Sequence, residues 1–416
     1  MSQLRVWKRI VGVEHTVITG VDVEGDGLDE RVVVRVRPTR SRQGRCSQCG
    51  RRCRGYDRGG GRRRWGAVDL GAVIVELEAD APRVRCVAHG VVVAQVPWAR
   101  AGARFTYAFE DTCAWLAART AASTVAELLR VTWRTVTGIV ERVVADALGG
   151  ADLLDGVTRV GIDEIAHRKG QRYLTAVTDH DTGQLIWAAP GRDQATVEAF
   201  FDALGPARAA RITHVSADGA EWIHAAVRAK APQATVCLDA FHVVQWATKA
   251  LDQIRRTLGN DLRQAGAHEA AAGLKGSRWA LVKNPEDLTP LQRRTLAGLA
   301  KTNHGIYRAY LIKEQLRATF AAKGDHGRQL LAGVISWAAR SRLEPLVKLA
   351  RTLKRYKPLI DNTLTHGLSN ARSEATNVHL RVLTRRSYGF HSPEALIAMA
   401  MLTRGGLCPN LPGRAK

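Results

Sequence analysis

The chain has 416 residues, which is long enough for about two to four domains of ordinary size. Hydrophobic residues make up 45% of it, which allows well-packed cores and excludes a disordered protein. Lys and Arg number 62 against 39 Asp and Glu, and the formal net charge of +23 is spread along the chain. Because cationic side chains displace the counterions of phosphates, this excess predicts a nucleic-acid partner, the alternative being a basic, solvated surface.

The cellular location is predicted from the N-terminus, the hydropathy and the cysteines. Residues 1–9 are not followed by the apolar core and cleavage site of a secretory signal. No apolar run reaches the length of about eighteen residues that a membrane span needs. The seven cysteines are an odd number, which favours metal ligands or buried thiols in a reducing compartment. We therefore expect a cytoplasmic, nucleoid-associated protein with no membrane partner.

Residues 1–100 are predicted to form a β-rich module that binds zinc. Residues 1 to about 40 alternate between apolar and polar in the manner of β-strands, most clearly at 32–36. Two more short strands are expected near 73–77 and 83–86. These strands surround the cysteines that supply the metal site.

The zinc ligands are expected to come from two matched pairs, Cys46-x2-Cys49 and Cys86-x2-His89. A two-residue spacing lets both members of a pair reach one ion, and two pairs complete a tetrahedral site. Four protein ligands leave no open position, so the predicted role of Zn²⁺ is structural. Cys53 is a rival fourth ligand, and the alternative interpretation makes Cys86 a packed core thiol with an exposed His89.

Residues 101–150 are predicted to form a helix-turn-helix. Ser123–Leu129 is typical of a capped first helix, 131–132 of the turn, and Trp133–Val144 of the second helix. Three arginines in this region are expected to reach phosphates or base edges of DNA: Arg130, Arg134 and Arg142. The alternative is an ordinary pair of helices packed on a neighbouring element.

Residues 151–242 are predicted to form the first part of a mixed sheet with helices on its faces. Strands are expected near 157–163, 172–179, 184–189, 211–217 and 234–238. Helices are expected near 193–204 and 220–230. Three meandering strands followed by alternating helices and strands are the order of a ribonuclease-H-like fold, in which the first and fourth strands are neighbours.

Three carboxylates are the candidate catalytic set. Asp163 lies on the first of these strands, Asp218 ends the fourth, and Glu374 stands at the start of a later helix. Hard oxygen ligands suit Mg²⁺ or Mn²⁺, and clustered like charges are costly unless a cation neutralises them. Three other acids near the strands are expected to be solvated, as most such acids are: Glu164, Asp179 and Asp181.

Asp239 and His242 follow the fifth strand and form a second candidate group. Asp239 competes with Asp218 as the second catalytic acid, and His242 has the chemistry to orient a phosphate or a water. We favour a supporting role for both, because the fourth strand normally supplies the second acid in this fold.

Residues 243–365 are predicted to be an all-helical insertion between the second carboxylate and the third. Two tryptophans in it have the chemistry to stack on an unpaired base, but core packing is the favoured interpretation for Trp279 and Trp337. Residues 366–404 return to the core with Glu374, and 405–416 form a tail. The stretch after Glu374 is expected to flank DNA through Arg381, Arg385 and Arg386.

Taken together, these motifs resemble a known family, the bacterial insertion-sequence transposases of the ISL-three type, in the DDE superfamily. The resemblance covers about residues 40 to 403. Its marks, in chain order, are Cys46-x2-Cys49 with Cys86, Gly161–Gly170 with Tyr173, Val215–Asp218, Asp239–His242, and Ser369-Asn370-x3-Glu374 with Tyr388-Gly389. One departure is His89, which stands where many relatives have a further cysteine.

The resemblance implies a DDE triad carried by Asp163, Asp218 and Glu374, together with the zinc module, the helix-turn-helix and the helical insert. It implies a multidomain α/β enzyme that binds the terminal inverted repeats of a mobile element and joins them to target double-stranded DNA. Two metal ions then activate water, and later a 3′-hydroxyl, for attack on phosphodiesters. A homo-oligomer is expected, because two element ends must meet in one complex.

Two alternatives use the same parts. A non-catalytic DNA-binding regulator needs only the zinc module and the helix-turn-helix. A ribonuclease-H-like nuclease or junction resolvase uses the same acids to cut DNA but does not join it.

Overall fold

The computed structural model describes residues 3–168, 172–368, 371–387 and 389–414. The chain forms two compact units, one of Met1–Leu153 with Val382–Lys416 and one of Leu154–Arg381. Five positions of the motifs lie outside the described residues: Lys169, Gly170, Ser369, Asn370 and Tyr388. No helix in the described part of the chain is long and apolar enough to cross a membrane.

The first unit begins with one α-helix and seven strands, and four of these strands form one sheet. Its elements are α1 (Gln3–Val11), β1 (Thr16–Glu24), β2 (Arg31–Pro38), β3 (Arg54–Asp57), β4 (Arg62–Gly66), β5 (Ile74–Asp80), β6 (Arg83–Cys86) and β7 (Gly90–Val93). The sheet has the order β1-β2-β5-β4, and Trp65 and Trp98 meet edge to face in its core. The predicted strands at 32–36, 73–77 and 83–86 are confirmed as β2, β5 and β6.

The prediction of β-structure for residues 1 to about 40 is wrong for Gln3–Val11, which form α1 before the sheet. The reason is its apolar spacing, since Val6 and Ile10 are one helical turn apart rather than on alternate positions. The remaining strands form a separate three-stranded sheet of order β3-β6-β7.

Three helices follow, and they match the predicted helical stretch: α2 (Tyr107–Ala117), α3 (Ala122–Leu128) and α4 (Trp133–Gly150). Thr132 caps α4 by accepting a hydrogen bond from the backbone N–H of Thr135. The buried side chains of α4 recur at helical spacing and form one apolar stripe: Val136, Ile139, Val140, Val143 and Val144. The helix runs through Gly149 and ends at Gly150.

The second unit is built around a five-stranded mixed sheet. Its strands are β8 (Arg159–Arg168), β9 (Arg172–Asp179), β10 (Leu185–Pro190), β11 (His214–Ala217) and β12 (Thr235–Leu238). The spatial order is β10-β9-β8-β11-β12, antiparallel among the first three strands and parallel from β8 to β12. The predicted neighbourhood of the first and fourth strands is therefore confirmed, since β8 pairs with β11.

Short helices connect these strands: α5 (Gln194–Leu204), α6 (Pro206–Ala209) and α7 (Glu221–Lys230). Asp193 caps α5 through the backbone N–H of Thr196. The buried side chains of α5 include Val197, Phe200 and Phe201. The parallel pairs β8–β11 and β11–β12 thus have the helical crossovers that parallel strands require.

Between β12 and residue 366, every described element is helical: α8 (Ala240–Gln264), α9 (His268–Gly276), α10 (Arg278–Val282), α11 (Pro290–Thr302), α12 (His304–Ala322), α13 (Gly324–Ala339) and α14 (Glu344–His366), with one 3₁₀ turn at Pro285–Asp287. These helices share one apolar core, in which Leu251, Leu316, Val334 and Leu353 are fully buried. Leu238 at the end of β12 belongs to the same core, so the helices pack onto the end of the sheet.

Two helices complete the chain, α15 (Ala371–Arg386) and α16 (Pro393–Arg404). Ser392 caps α16, and Pro393 occupies its first turn, where a missing N–H costs nothing. Within the first unit, α16 packs against α4.

Candidate active site and zinc cluster

Asp163 lies in the middle of β8, opposite Ala176 of β9. Its Oδ1 accepts a hydrogen bond from the backbone N–H of Glu164 at 2.7 Å, and its other carboxylate oxygen accepts one from the side-chain amide of Asn377. Burial raises the pKa of Asp163 to about 6, and the negative charges of Asp239 and Asp218 act in the same direction. The fold therefore holds this carboxyl where its ionised form is costly.

Asp218 follows β11 directly, and the parallel pairing of β11 with β8 brings it to the same side of the sheet as Asp163. Its Oδ1 accepts the backbone N–H of Ala220 at 2.9 Å, while Nε2 of His224 donates to its backbone carbonyl at 2.9 Å. These bonds fix a tight turn between the strand and α7. A Cβ on Gly219 would lie 2.9 Å from the ring of Trp246, so the turn requires glycine.

Asp239 is 5% exposed and begins α8 as its N-cap. Its two carboxylate oxygens accept hydrogen bonds from the backbone N–H of Phe241 at 3.4 Å and from Nδ1 of His242 at 2.7 Å. The hydrogen bond from His242 to Asp239, assisted by the charges of Asp218 and Asp163, raises the pKa of His242 above its usual value. Asp239 thus supports a cationic imidazole beside the other two aspartates.

Glu374 is exposed in the first turn of α15, on the same helix as Asn377. Side chains three positions apart on a helix have Cβ atoms about 5–6 Å apart. Because Asn377 contacts Asp163, the helix brings Glu374 to within about one turn of the first carboxylate. Asn377 was missed by sequence reasoning, although its spacing from Glu374 is a signal that points to it.

The three candidate carboxylates surround one region but are not in mutual contact. In the described part of the chain, the one group of at least three His, Cys, Asp or Glu residues with all ligand atoms within 4.8 Å is the cysteine and histidine cluster near the N-terminus. The acids Asp163, Asp218 and Glu374 are therefore further apart than the ligands of a closed site. Such an open arrangement leaves positions for water and for substrate oxygens.

Two acids that were expected to be solvated are buried instead. Glu164 pairs with Arg192, and burial raises the pKa of Glu164 to about 7, with the charge of Asp218 adding to the effect. Asp179 is 6% exposed and accepts hydrogen bonds from the backbone N–H groups of Asp181 and Thr182. The expectation is wrong because one acid gains an arginine partner and the other caps a turn.

The strand ends that carry the acids are tied to α14. The hydroxyl of Tyr356 donates to the carbonyl of Gly219 at 3.0 Å, next to Asp218. Asn362 donates to the carbonyl of Val236 at 2.9 Å, and Thr363 donates to that of Leu238 at 2.7 Å, next to Asp239. A helix more than a hundred residues away in sequence therefore positions both aspartate-bearing turns. No spacing in the sequence predicts these contacts.

The predicted zinc ligands converge in the first unit. Nδ1 of His89 lies 3.6 Å from Sγ of Cys46 and 3.6 Å from Sγ of Cys86, and Sγ of Cys49 lies 3.7 Å from Sγ of Cys86. Bond lengths to tetrahedral zinc require edges of about 3.8 Å between sulfurs and about 3.6 Å between sulfur and nitrogen. The four residues therefore fit one Zn²⁺ ion.

The electrostatics of the cluster agree with this fit. Although burial opposes it, hydrogen bonds from the backbone N–H groups of Ala88 and His89 lower the pKa of Cys86 to about 7. A thiolate is the form that binds metal. Cys53, the rival ligand, donates to the carbonyl of Arg51 and is not one of the four clustered residues.

The arginines of the predicted helix-turn-helix differ in what surrounds them. Arg134 is exposed beside the exposed ring of Trp133. Arg130 donates to the backbone carbonyl of Ala72. Arg142 is held by the fully buried Glu110 through two bonds of 2.7 and 2.9 Å. Arg142 therefore uses its guanidinium to pair a buried carboxylate, with 36% of its own side chain exposed.

The arginines of α15 differ in the same way. Arg381 and Arg385 are exposed, whereas Arg386 donates to the carbonyls of Ala117 and Ala118 at the end of α2. Burial lowers the pKa of Arg386. This arginine satisfies carbonyls at a helix C-terminus, which have no partner within their own helix.

The two tryptophans of the helical segment also differ in their exposure to solvent. Trp337 packs partly buried against the helical core, as expected. Trp279 is 55% exposed on α10 with the guanidinium of Arg278 over its ring, so the expectation of core packing is wrong for it. A five-residue helix has too little surface to bury a large ring on both sides.

Comparisons with known proteins agree with these features. A transposase family profile, the ISL3 type of DDE transposase, matches residues 160–400. The helix-turn-helix domain of transposase family ISL3 matches 94–144, and the zinc finger of the transposases of IS204, IS1001, IS1096 and IS1165 matches 42–89. The zinc-finger match ends at His89, the last residue of the cluster.

Curated relatives extend the match to the whole chain. The transposase for insertion sequence element IS1557 of Mycobacterium tuberculosis, found in two strains, is 50% identical over 100% of this chain and 98% of its own length. The transposase for insertion sequence element IS1001 of Bordetella parapertussis is 29% identical over 84% of this chain and 86% of its own length. This chain therefore belongs to the ISL3 family of DDE transposases, enzymes that cleave DNA and transfer its strands.

Proposed function

We propose that Asp163, Asp218 and Glu374 form the catalytic triad of this transposase. One observation carries the proposal: Asn377 of α15 contacts Asp163 on the central strand of the sheet, and Glu374 stands one helical turn before Asn377. This contact supports a site shared by residues more than two hundred positions apart in sequence.

The donor set fits divalent cations with a preference for hard ligands, and we propose Mg²⁺ or Mn²⁺. Carboxylates are the ligands that Mg²⁺ takes in proteins, usually with several waters retained. The raised pKa of Asp163 supports the same assignment, because like charges gathered in a buried place favour a nearby cation. When bound, paired divalent ions lower the pKa of an attacking water or hydroxyl and stabilise the leaving oxygen.

The other residues of the site have supporting roles in the proposal. Asp239 accepts the Nδ1–H of His242 and thereby orients the imidazole and favours its protonated form. A protonated His242 beside the acids is suited to hold a DNA phosphate by a charge-assisted hydrogen bond. Asn377 donates to Asp163 and orients its carboxylate.

DNA recognition is assigned to the first unit. The zinc module and the helix-turn-helix are proposed to bind the terminal inverted repeats of the element, and target DNA enters at the acid site. Arg130, Arg134, Arg381 and Arg385 are the predicted DNA contacts whose guanidinium groups reach the surface. Arg142 and Arg386 are given a structural role, because both are half-buried, the first is held by the fully buried Glu110 and the second by carbonyls at the end of α2.

The fold is proposed to be ribonuclease-H-like, with the helices between β12 and α15 as an insertion. Support comes from the strand order, in which three antiparallel strands are followed by two parallel ones. The six-part division at 1–100, 101–150, 151–242, 243–365, 366–404 and 405–416 is part of this proposal. A homo-oligomer acting on chromosomal DNA in the cytoplasm is proposed because two element ends must be joined together.

The triad is tested by carboxylate-to-amide substitutions. Asp163→Asn and Glu374→Gln are each expected to lower the rate of strand cleavage at element ends by about 10³-fold, while affinity for the ends stays within about twofold. Glu344→Gln is the matched control, because Glu344 is also an exposed glutamate in the first turn of a helix. Gel assays of cleavage and binding on labelled element ends provide both measurements.

Retention of more than a tenth of the activity by Glu374→Gln overturns its place in the triad. Strand joining is measured separately with pre-cut ends supplied with a 3′-hydroxyl. A chain that cuts but never joins these ends is a nuclease or resolvase, and one that only binds them is a regulator.

A further inference from the structure

A cavity of about 500 Å³ opens in the second unit beside the start of α8. Its size falls within the range of about 300–1,000 Å³ that is typical of small-molecule sites. The wall contains two aromatic rings, Phe241 and Phe320, and apolar side chains including Val244 and Val282. Phe241 is 52% exposed although it stands two residues after the buried Asp239.

The two cations in the wall are already paired. The ammonium of Lys313 donates to the carbonyls of Leu281 at 2.9 Å and Lys283 at 3.1 Å and pairs with Glu314 at 2.6 Å. Its three donors are thus all used. The cavity therefore gains no free ammonium for a phosphate from Lys313.

Arg317 is paired in the same way. Its guanidinium makes a two-point contact with Glu286, at 2.7 and 3.1 Å, and a further bond of 3.0 Å to Glu314. With both cations neutralised, the cavity suits an uncharged ligand better than a phosphate.

The remaining polar groups are neutral and hydrogen-bonding. Gln245 contributes a side-chain amide. The amide of Asn284 donates to Asp287 at 3.3 Å and the hydroxyl of Thr248 donates to the carbonyl of Val244 at 3.1 Å, so these two residues mainly offer acceptor oxygens. An amide such as that of Gln245 offers a donor and an acceptor, the pattern that matches the edge of a nucleobase. Aromatic rings with neutral amides at the edge are the chemistry by which proteins hold an unstacked base.

The position of the cavity connects it to the acids. Phe241, Val244, Gln245 and Thr248 recur at helical spacing on α8, whose first residues carry Asp239 and His242. The ring of Phe241 lies edge to face with that of His242, with 5.8 Å between centroids. A nucleotide next to the phosphodiester held at the acids is therefore within reach of the cavity mouth.

We propose that this cavity binds a single nucleobase turned out of the DNA next to the bond that is cut, with Phe241 stacking on it. The proposal rests on the proposed function, because it places that bond at Asp163 and Asp218. Extrusion of one base frees the backbone around the reacting phosphate and fixes the register of the cut.

The test combines a side-chain truncation at Phe241 with DNA ends that carry an abasic nucleotide. Phe241→Ala is expected to lower the cleavage rate on intact element ends by about tenfold or more, because base–aromatic stacking is lost. A series of ends then carries one abasic nucleotide at each position flanking the cut. At one position the abasic end needs no extrusion, so wild type and Phe241→Ala are expected to cleave it within about twofold of each other.

Two further variants keep the result interpretable. Phe241→Trp retains an aromatic face and is expected to keep at least half of the wild-type rate on intact ends. Leu291→Ala is the matched control, because Leu291 is also an exposed apolar side chain on a helix of the same unit and does not line the cavity. It is expected to cleave intact ends at the wild-type rate.

The proposal is overturned if Phe241→Ala cleaves intact ends at the wild-type rate, or if it stays tenfold slow on every abasic end. It is also overturned if Phe241→Trp is as slow as Phe241→Ala. Failure of the proposed function looks different, because wild type itself then leaves intact ends uncut, or Asp163→Asn still cuts them.

Discussion

The two units of this protein differ in the charges that surround their candidate metal ligands. In the first unit, the buried Glu110 pairs with Arg142, and the buried Cys46 lies in a cluster with His89 and two more cysteines. In the second unit, burial raises the pKa of Asp163, and the negative charges of Asp239 and Asp218 raise it further. Matched charges hold a structure, whereas gathered charges of one sign favour the binding of cations.

The same contrast separates the zinc cluster from the candidate acid site. The zinc ligands come from two short motifs, so local chain geometry closes the cluster, and four soft or borderline ligands complete it. The candidate acids come from the middle of β8, the end of β11 and the first turn of α15, and among the described residues they do not form a closed cluster. A structural zinc site thus has all its coordination positions filled by protein ligands, whereas a catalytic site keeps positions for water and substrate.

The largest effect is expected at the closed site. Cys49→Ser is expected to lower bound zinc from about one ion per chain to none and to unfold the module, because structural zinc supplies much of the folding free energy of such modules. Cys53→Ser is the matched control, since Cys53 is near the cluster but outside it, and it is expected to keep the zinc. Metal analysis of the purified variants measures both, and zinc retained by Cys49→Ser would refute the ligand set.

Arg142→Ala removes the ion pair between Arg142 and the buried Glu110 of the first unit. The substitution leaves Glu110 fully buried with only Arg100 nearby at 3.4 Å, and we expect a loss of about 3 kcal/mol in the free energy of unfolding. Chemical denaturation followed by circular dichroism measures this change.

Arg134→Ala is the comparison for that experiment, because Arg134 is exposed on the same helix. It is expected to leave stability within about 0.5 kcal/mol and to lower the salt dependence of DNA affinity by about one phosphate contact. The reverse outcome, in which Arg142→Ala loses DNA affinity without losing stability, contradicts the structural role of Arg142.

The buried carboxyl of Asp163 is expected to make the stability of the second unit depend on pH. Burial raises the pKa of Asp163 from 3.8 to about 6, so the folded state binds its proton more tightly than the unfolded state. This stabilising contribution is fully present below about pH 4 and is lost as pH rises to about 6, a change of about 3 kcal/mol. Asp163→Asn is therefore expected to be more stable than wild type at pH 7 in zinc-containing, magnesium-free buffer.

Denaturation curves at pH 4.5 and pH 7 measure the effect, and Mg²⁺ is expected to stabilise wild type but not Asp163→Asn. The second part of this prediction separates a metal-binding carboxylate from one that is merely buried. Equal stabilisation of both proteins by Mg²⁺ would remove the link between the acids and the ion.

The smallest expected effect concerns the helix that holds the acid-bearing turns. Tyr356→Phe removes the hydrogen bond to the carbonyl of Gly219 and is expected to cost about 1 kcal/mol of stability. Tyr307→Phe is the control, because no hydrogen bond of its hydroxyl is found among the described residues. Cleavage by Tyr356→Phe is expected to fall several-fold with unchanged DNA affinity, which a purely structural contact would not produce.

Much of this architecture could be predicted from the sequence because it depends on local signals. Alternating apolar residues predict the strands, and turn residues separate them, so the order of β8 to β12 follows. The zinc ligands follow from two matched spacings. The helix-turn-helix follows from capping residues and helical periodicity.

The burial and the partners of long, charged side chains could not be predicted from such local signals. Arg142 and Arg134 stand on one helix in similar sequence surroundings, yet one meets a buried glutamate and the other meets solvent. Their difference depends on which helix packs opposite, which is information about the tertiary structure. Glu164 was misjudged for the same reason, because Arg192 is distant in sequence.

The glycine after Asp218 has a consequence for how copies of mobile elements decay in genomes. A methyl group at position 219 would lie 2.9 Å from the ring of Trp246, so either the ring or the turn beside Asp218 has to shift. A copy with Gly219→Ala is therefore expected to keep every acid, cysteine and arginine of its ancestor and yet to move less often. The presence of the charged residues alone therefore does not distinguish an active copy from an inactive one.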